Sequence, residues 1–319
     1  MSVYTEVPRA ALDDFLKPYA LGAVLAFEGI LEGVENTNYF LTTSVGAYVL
    51  TLFEATPPAS LPYCLALMTH LAARGIPAPL PLAARDGSVL GSLCGRPAAL
   101  VARLPGASVA RPTLAQCAAI GAVLGRMHLA VADFGPRRDG TRGADWRAAT
   151  AARLAARLGS ADLALVAEEV ALQAGAPLAG LPGGAVHGDL FHDNVLFAGD
   201  ALTGVIDFYY AAHEAFVYDV AVTVADWCFS AGRCDEGRAR ALLGAYRATR
   251  EISRAEIEAW PLALRAAGLR FWLSRLHDAL FRKPGELVLI KDPAACRAVV
   301  LAARREPERL RRCWGQSQG

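Results

Sequence analysis

The chain changes its dominant hydrophobic period at Leu104-Pro105-Gly106. Before that point, short β-branched and aromatic runs alternate with turn residues. Beyond it, apolar residues recur at three-and-four spacing almost to the end. A chain written this way predicts an α+β fold in two parts: a small, mostly antiparallel sheet over 1–104 and a large helical part over 105–319. In the first part, residues 9–20 read as a short amphipathic helix, and 23–31, 38–42 and 47–53 as strands, with a turn at Ser44-Val-Gly46. A helix follows over 62–74, with Ser60 as N-cap, Pro62 in its first turn and Gly75 closing it. Strands are expected over 87–93 and 97–104, turning at Gly95-Arg96-Pro97. In the second part, Thr113 caps a helix over 113–131, and 146–157 and 161–174 are helical. A Gly/Pro-rich break spans 176–184. Two short strands, 194–198 and 202–207, turn at Gly199-Asp200. Helices then fill 215–230, 236–248, 254–282 and 293–312.

Composition excludes several classes. The chain has 319 residues with 32 basic and 31 acidic groups, a formal charge of +1, so it has no electrostatic footprint for nucleic acid. No apolar run approaches the length needed to span a bilayer, which points to no membrane partner. Seven scattered cysteines form no C-x-x-C pair, and the first residues contain acids rather than an apolar leader, so a reduced, cytoplasmic protein is expected. Only Lys17, Lys283 and Lys291 are lysine; the remaining basic residues are arginine.

Chemistry concentrates in His187-Gly-Asp-Leu-Phe-His-Asp-Asn-Val-Leu-Phe197 and Gly204-Val-Ile-Asp-Phe208. Asp189 and Asn194 lie in one loop, and Asp207 ends an apolar strand across a tight hairpin. Turn residues and a strand cap would use the same types. Three oxygen-bearing side chains against short buried strands also suit hard divalent cations plus a base, the parts that phosphoryl transfer to an alcohol requires. The pattern H-x-D-x-x-x-x-N, met by His187, Asp189 and Asn194, resembles the protein-kinase-like, bilobal small-molecule phosphotransferases of the aminoglycoside phosphotransferase and choline kinase superfamily. The resemblance implies ATP and Mg²⁺ as cofactors, Asp189 as catalytic base, His187 as brace of the catalytic loop, and Asn194 and Asp207 as metal ligands. It also implies nucleotide contacts from Glu32-Gly-Val-Glu-Asn-Thr-Asn-Tyr39 (Gly33, Val34, Asn36, Thr37 and Asn38) and from a hinge strand carrying Val101 and Arg103. Leu124-Gly-Arg-Met-His128 and Tyr218-Asp-Val-Ala221 resemble recurrent helices of the large part, with His128 and Asp219 in structural roles.

One departure stands out. Kinases of this kind place a lysine on the third strand, paired with a helix glutamate. Here Tyr48-Val-Leu-Thr-Leu-Phe53 puts Thr51 at that position, and helix 62–74 has no acidic residue. Either the phosphates are held otherwise, Arg103 being one candidate, or the protein is a non-catalytic nucleotide binder. Several segments, in order along the chain, resemble the bacterial homoserine kinases of this fold: Val3-Tyr-Thr-Glu-Val7, His70-Leu-Ala-Ala-Arg-Gly75, Gly95-Arg-Pro-Ala-Ala-Leu100, Ile206-Asp-Phe-Tyr209, Asp226-Trp-Cys-Phe229, Leu269-Arg-Phe271 and Lys291-Asp-Pro293. That branch does without the third-strand lysine, and the resemblance implies L-homoserine as the small-molecule substrate. Homoserine is a zwitterion, so its site needs a cation and an anion. Arg270 is a candidate carboxylate clamp and Asp226 an ammonium partner, with Tyr209 shaping the pocket; each has a buried structural role as the alternative. Aminoglycoside, choline and other amino-alcohol acceptors remain open. Polycationic acceptors would want an acid-rich pocket, and the large part carries no acidic excess.

Overall fold

The computed structural model describes residues 3–31, 35–175, 178–281 and 291–315, and the chain divides into two compact units. The first comprises the residues up to Pro105 together with Gly204–Tyr209. It begins with helix α1 (Arg9–Leu16), followed by strands β1 (Val24–Gly29), β2 (Thr37–Thr43) and β3 (Ala47–Leu52), helix α2 (Leu61–Ala73), and strands β4 (Gly91–Leu93) and β5 (Arg96–Ala102). The strands form one antiparallel sheet in the order β1-β2-β3-β5-β4. Period-two burial is clear in β2, where Thr37, Tyr39, Leu41 and Thr43 are buried and the residues between them half-buried. Tyr39 and Leu41 join Leu50, Leu52, Leu100 and Leu12 in a core under α1. The opposite sheet face carries Asn38, Phe40, Val49, Thr51, Ala99 and Val101, paired across strands as Asn38↔Thr51, Phe40↔Val49, Val49↔Val101 and Thr51↔Ala99.

Local chemistry adjusts several expected boundaries. The β4–β5 turn lies at Cys94-Gly95, with φ of 52° and 75°, because a two-residue hairpin of this hand needs both central residues at positive φ. Pro97, with its fixed negative φ, sits in the strand instead. Residues 87–90 are not strand: Asp86 turns the chain by accepting hydrogen bonds from the Ser88 N–H (2.9 Å) and hydroxyl (2.7 Å). Ser60 is not a capping residue. It is already helical, ending a short turn from Pro58, and makes no side-chain cap bond.

The second unit contains helices α3 (Leu114–Ala130), α4 (Ala144–Leu154) and α5 (Ser160–Ala174), then strands β6 (Gly183–Val186), β7 (Val195–Ala198) and β8 (Ala201–Val205), the last crossing into the first unit at Gly204. Strand β9 (Ala212–Ala215), helix α6 (Phe216–Trp227) and the short strands β10 (Phe229–Ser230) and β11 (Arg233–Cys234) follow. Helices α7 (Glu236–Thr249), α8 (Arg254–Leu280), α9 (Pro293–Arg305) and α10 (Pro307–Arg311) complete the unit. Reciprocal capping boxes start α3 (Thr113 with Gln116) and α8 (Ser253 with Glu256). The expected helix 215–230 stops at Trp227, and Ala231-Gly232, both at positive φ, turns β10 into β11. The expected helix 293–312 breaks at Glu306, which Pro307 pushes out of the helical region. No described helix is long and apolar enough to cross a membrane.

Candidate functional site

Strand β6 delivers the chain to His187, and the loop that follows is held from beneath by one buried carboxylate. Asp219, in the first turn of α6, accepts hydrogen bonds from the His187 N–H (3.0 Å) and the Gly188 N–H (2.7 Å). Gly188 is required: its φ is 74°, and a Cβ there would meet the Tyr210 carbonyl at 3.0 Å. Asp219 also pairs with His128 Nε2 at 3.1 Å. Burial raises the carboxyl pKa of Asp219, but the bonds and charges of His128 and His187 and the Gly188 N–H outweigh it and hold the group below its usual value. Burial pushes His128 down, so its neutral ring donates from Nε2 and accepts at Nδ1 from the Tyr246 hydroxyl, 2.9 Å away. Tyr246 in turn accepts from Arg250 (3.0 Å), which reaches Glu256 of the α8 capping box at 2.8 Å. A continuous buried network thus runs from the loop to the start of α8.

Above this support lies Asp189. Its backbone N–H donates to His187 Nδ1 at 3.2 Å. Asn194 Nδ2 donates to the Asp189 carbonyl (2.8 Å) and to its carboxylate Oδ2 (3.3 Å). Arg270 Nη1 donates to the Gly188 carbonyl (3.0 Å) and to Asp189 Oδ1 (3.3 Å), with its guanidinium 5.0 Å from the Tyr210 ring centroid. Burial raises the Asp189 pKa, and the positive charge of Arg270 opposes that rise. The structure therefore brings His187, Asp189, Asn194 and Arg270 together, with Arg270 on the candidate base itself.

Two residues beyond Asp189 a cleft of about 540 Å³ begins, lined by Phe191, His192, Asp226, Phe271 and Arg275 among others. Asp226 Oδ2 accepts from the His192 N–H (2.8 Å) and from His192 Nδ1 (2.5 Å). The hydrogen bond to Asp226 raises the pKa of His192. Asp226 is held low because His192 outweighs the effect of burial. Lys291 bonds Asp193 at 2.5 Å and lies 4.7 Å from the Phe191 ring centroid. The roles of His192 and Lys291 were not readable in advance, because their partners lie 34 and 98 residues away.

The His192–Asp226 pair predicts a pH dependence of stability. The His192 contribution is complete below pH 6.5 and is lost as pH rises through its raised folded value. The Asp226 contribution holds above pH 3.8 and disappears in acid as pH falls through its lowered value. Urea unfolding should therefore show wild type losing on the order of 1 kcal/mol more than Asp226→Asn as pH rises from about 6.5 to 9. Parallel profiles would refute the pair.

In the first unit, Asn36 Oδ1 accepts from the Glu54 N–H (3.3 Å). The Thr37 hydroxyl is buried, accepting from the N–H groups of Tyr4 and Thr5 and donating to Glu54 (2.7 Å). Asn38 Oδ1 accepts from the Thr51 hydroxyl at 2.7 Å, so the expected lysine position is filled by a short cross-strand bond. Val101 is buried in β5, and the Arg103 guanidinium stacks 3.8 Å over the Phe40 ring. Gly33 and Val34 lie outside the described residues. Asp207 is two residues past the end of β8 and holds φ = 65°, a left-handed conformation that costs energy away from glycine. Tyr209 packs edge-on against Phe53 at 4.9 Å, and burial pushes its hydroxyl pKa far above the usual value.

Because Nδ2 of Asn194 is committed to Asp189, the amide oxygen is the atom left to accept a hydrogen bond or meet a hard cation. Among the described residues no three His, Cys, Asp or Glu side chains cluster.

Comparison with known proteins agrees. A family profile described as "Phosphotransferase enzyme family" matches residues 26–252. A homoserine kinase of Methylobacillus flagellatus is 49% identical, covering 92% of both chains, and one of Methylobacillus glycogenes is 46% identical over 99% of this chain and 100% of its own. Among solved structures, the amicoumacin kinase hAmiN in complex with AMP-PNP, Ca²⁺ and Ami superposes with TM-score 0.69 at 16% identity, covering 94% of this chain and 93% of that one. A spectinomycin phosphotransferase in complex with ADP and spectinomycin gives 0.65 at 14%, covering 94% and 99%. These likenesses place the fold among the protein-kinase-like phosphotransferases.

Proposed function

Because the chain belongs to the phosphotransferase enzyme family, we propose that it is an ATP-dependent kinase that phosphorylates the side-chain hydroxyl of L-homoserine, a step toward threonine. The observation that carries this reading is near full-length identity of 44–49% to several homoserine kinases, together with a half-buried carboxylate braced by Asn194 and Arg270. The reaction needs little covalent work from the protein. It must orient the hydroxyl, take its proton and stabilise charge on the transferring group.

Asp189 takes the proton from the acceptor hydroxyl. Its burial-raised pKa makes it a stronger base than a solvated carboxylate, while Arg270 keeps it ionised and aimed. Arg270, bonded to Gly188 and Asp189, thus acts as the partner of the base rather than as a clamp in the cleft. Asp226 gives both His192 bonds to Oδ2, and Oδ1 is left for the substrate ammonium. Asn194 and Asp207 would hold Mg²⁺, which when bound would neutralise phosphate charge. With Thr51 tied to Asn38, the sheet offers no lysine for the phosphates. Cytoplasm, where ATP and a free amino acid meet, is the expected setting.

The test is ADP release with ATP, Mg²⁺ and a panel of alcohols. Highest turnover on L-homoserine is expected. Turnover of an aminoglycoside or choline with none on homoserine would overturn the substrate, and ATP binding without turnover of any alcohol would overturn the enzyme. In the same assay Asp207→Ala should lower kcat/KM for ATP by about 10²-fold; an unchanged Mg²⁺ dependence would remove Asp207 from the metal site.

A further inference from the structure

A second cleft in the helical unit is unconnected with any role given above. It has about 480 Å³ and lies where α4, α5, β6, β9, α6 and α8 meet, with Arg147, Gln173, His213, Glu214 and Tyr218 as its polar lining and Leu178 and Leu181 among its apolar lining. Three observations point to a ligand. Gln173 is only 4% exposed, yet its side-chain amide nitrogen Nε2 has no hydrogen-bond partner. Arg147 Nε, equally shielded from solvent, has none either. Two orphaned donors at one cleft are costly to bury, and they call for a group that brings only acceptors. Glu214 is the third. Its carboxyl is raised by burial and pulled back by the charge of Arg147, so anion and cation sense each other across the space.

We propose that this cleft binds a small aliphatic α-amino acid, its carboxylate on Arg147 and Gln173, its ammonium on Glu214, and its side chain against Leu178 and Leu181. A carboxylate matches a guanidinium and an amide donor, an ammonium matches a half-buried carboxylate, and both charges sit on adjacent carbons of one molecule. Neither charge alone would use the whole lining: an anion would leave the half-buried Glu214 to share Arg147 with it, and a cation would leave both donors unmet. The site is separate from the cleft at Asp226, with which it shares no lining residue.

Equilibrium dialysis of the full-length protein against L-alanine, L-valine and L-leucine tests this without any turnover. At least one is expected to bind at one site per chain, with isovalerate and isobutylamine, each missing one charge of valine, binding at least about tenfold more weakly. Arg147→Met should weaken binding by about 10–100-fold. Ala179→Trp, at an exposed position on the cleft rim, should block entry while leaving the melting temperature and the turnover of ATP with homoserine unchanged. Absence of binding by all three amino acids, or binding of wild-type strength in both variants, would overturn the proposal.

Discussion

Asp189→Asn should transfer phosphoryl groups about 10³-fold more slowly than wild type while binding ATP with unchanged affinity. The substitution keeps the shape of the side chain and its acceptor for Arg270, and removes only the capacity to take a proton. Asn194 bonds both the Asp189 carbonyl and its carboxylate, so the loop has a second tie that does not depend on charge. Loop geometry should therefore survive, and the loss should appear in kcat rather than in nucleotide affinity. Single-turnover rates with saturating ATP and homoserine, paired with nucleotide titration, separate the two. A variant that keeps more than about a tenth of wild-type kcat would show that another group takes the proton.

Asp219→Ala should have the largest effect on stability, on the order of 3–5 kcal/mol. The carboxylate is fully buried and bonded to two backbone N–H groups and His128. Its removal orphans all three donors at once, and each buried orphan costs about 1–3 kcal/mol. Asp219→Asn retains one acceptor oxygen and should cost less. Urea titration at neutral pH checks the order of the two variants, and equal stabilities would refute the network. Because the Asp219 pKa is lowered, its contribution is present above pH 3.8 and vanishes as pH falls through the lowered value, so wild type and Asp219→Ala should converge only in strong acid.

The legible parts of this fold are those whose signals are local. Alternation in β2, the Thr113 capping box of α3 and the five-residue spacing of Asp189 and Asn194 all lie within one turn, strand or loop. Strands β6 and β9 escaped notice because Gly183-Gly-Ala-Val is too short and glycine-rich to show a period, and its ladder partner lies some thirty residues on. The same distance effect hid the partners of the base. Arg270 reaches Asp189 across 81 residues and His128 reaches Asp219 across 91, so the residue types could be singled out but not the bonds between them. For Arg270 the structure adds ties to the Gly188 carbonyl and the Asp189 carboxylate that its sequence position could not reveal.

The Thr51–Asn38 bond carries a practical consequence for chemical biology. Acyl-phosphate nucleotide reagents profile kinases by acylating the lysine that touches bound phosphates. This sheet has no such amine, since no lysine occurs between Lys17 and Lys283. The enzyme should therefore be silent at its sheet in lysine-directed proteome profiling, and covalent inhibitors built on that chemistry should spare it. Selective reagents would have to look elsewhere, and Lys291, set beside the catalytic loop on Asp193 and Phe191, is the amine within view.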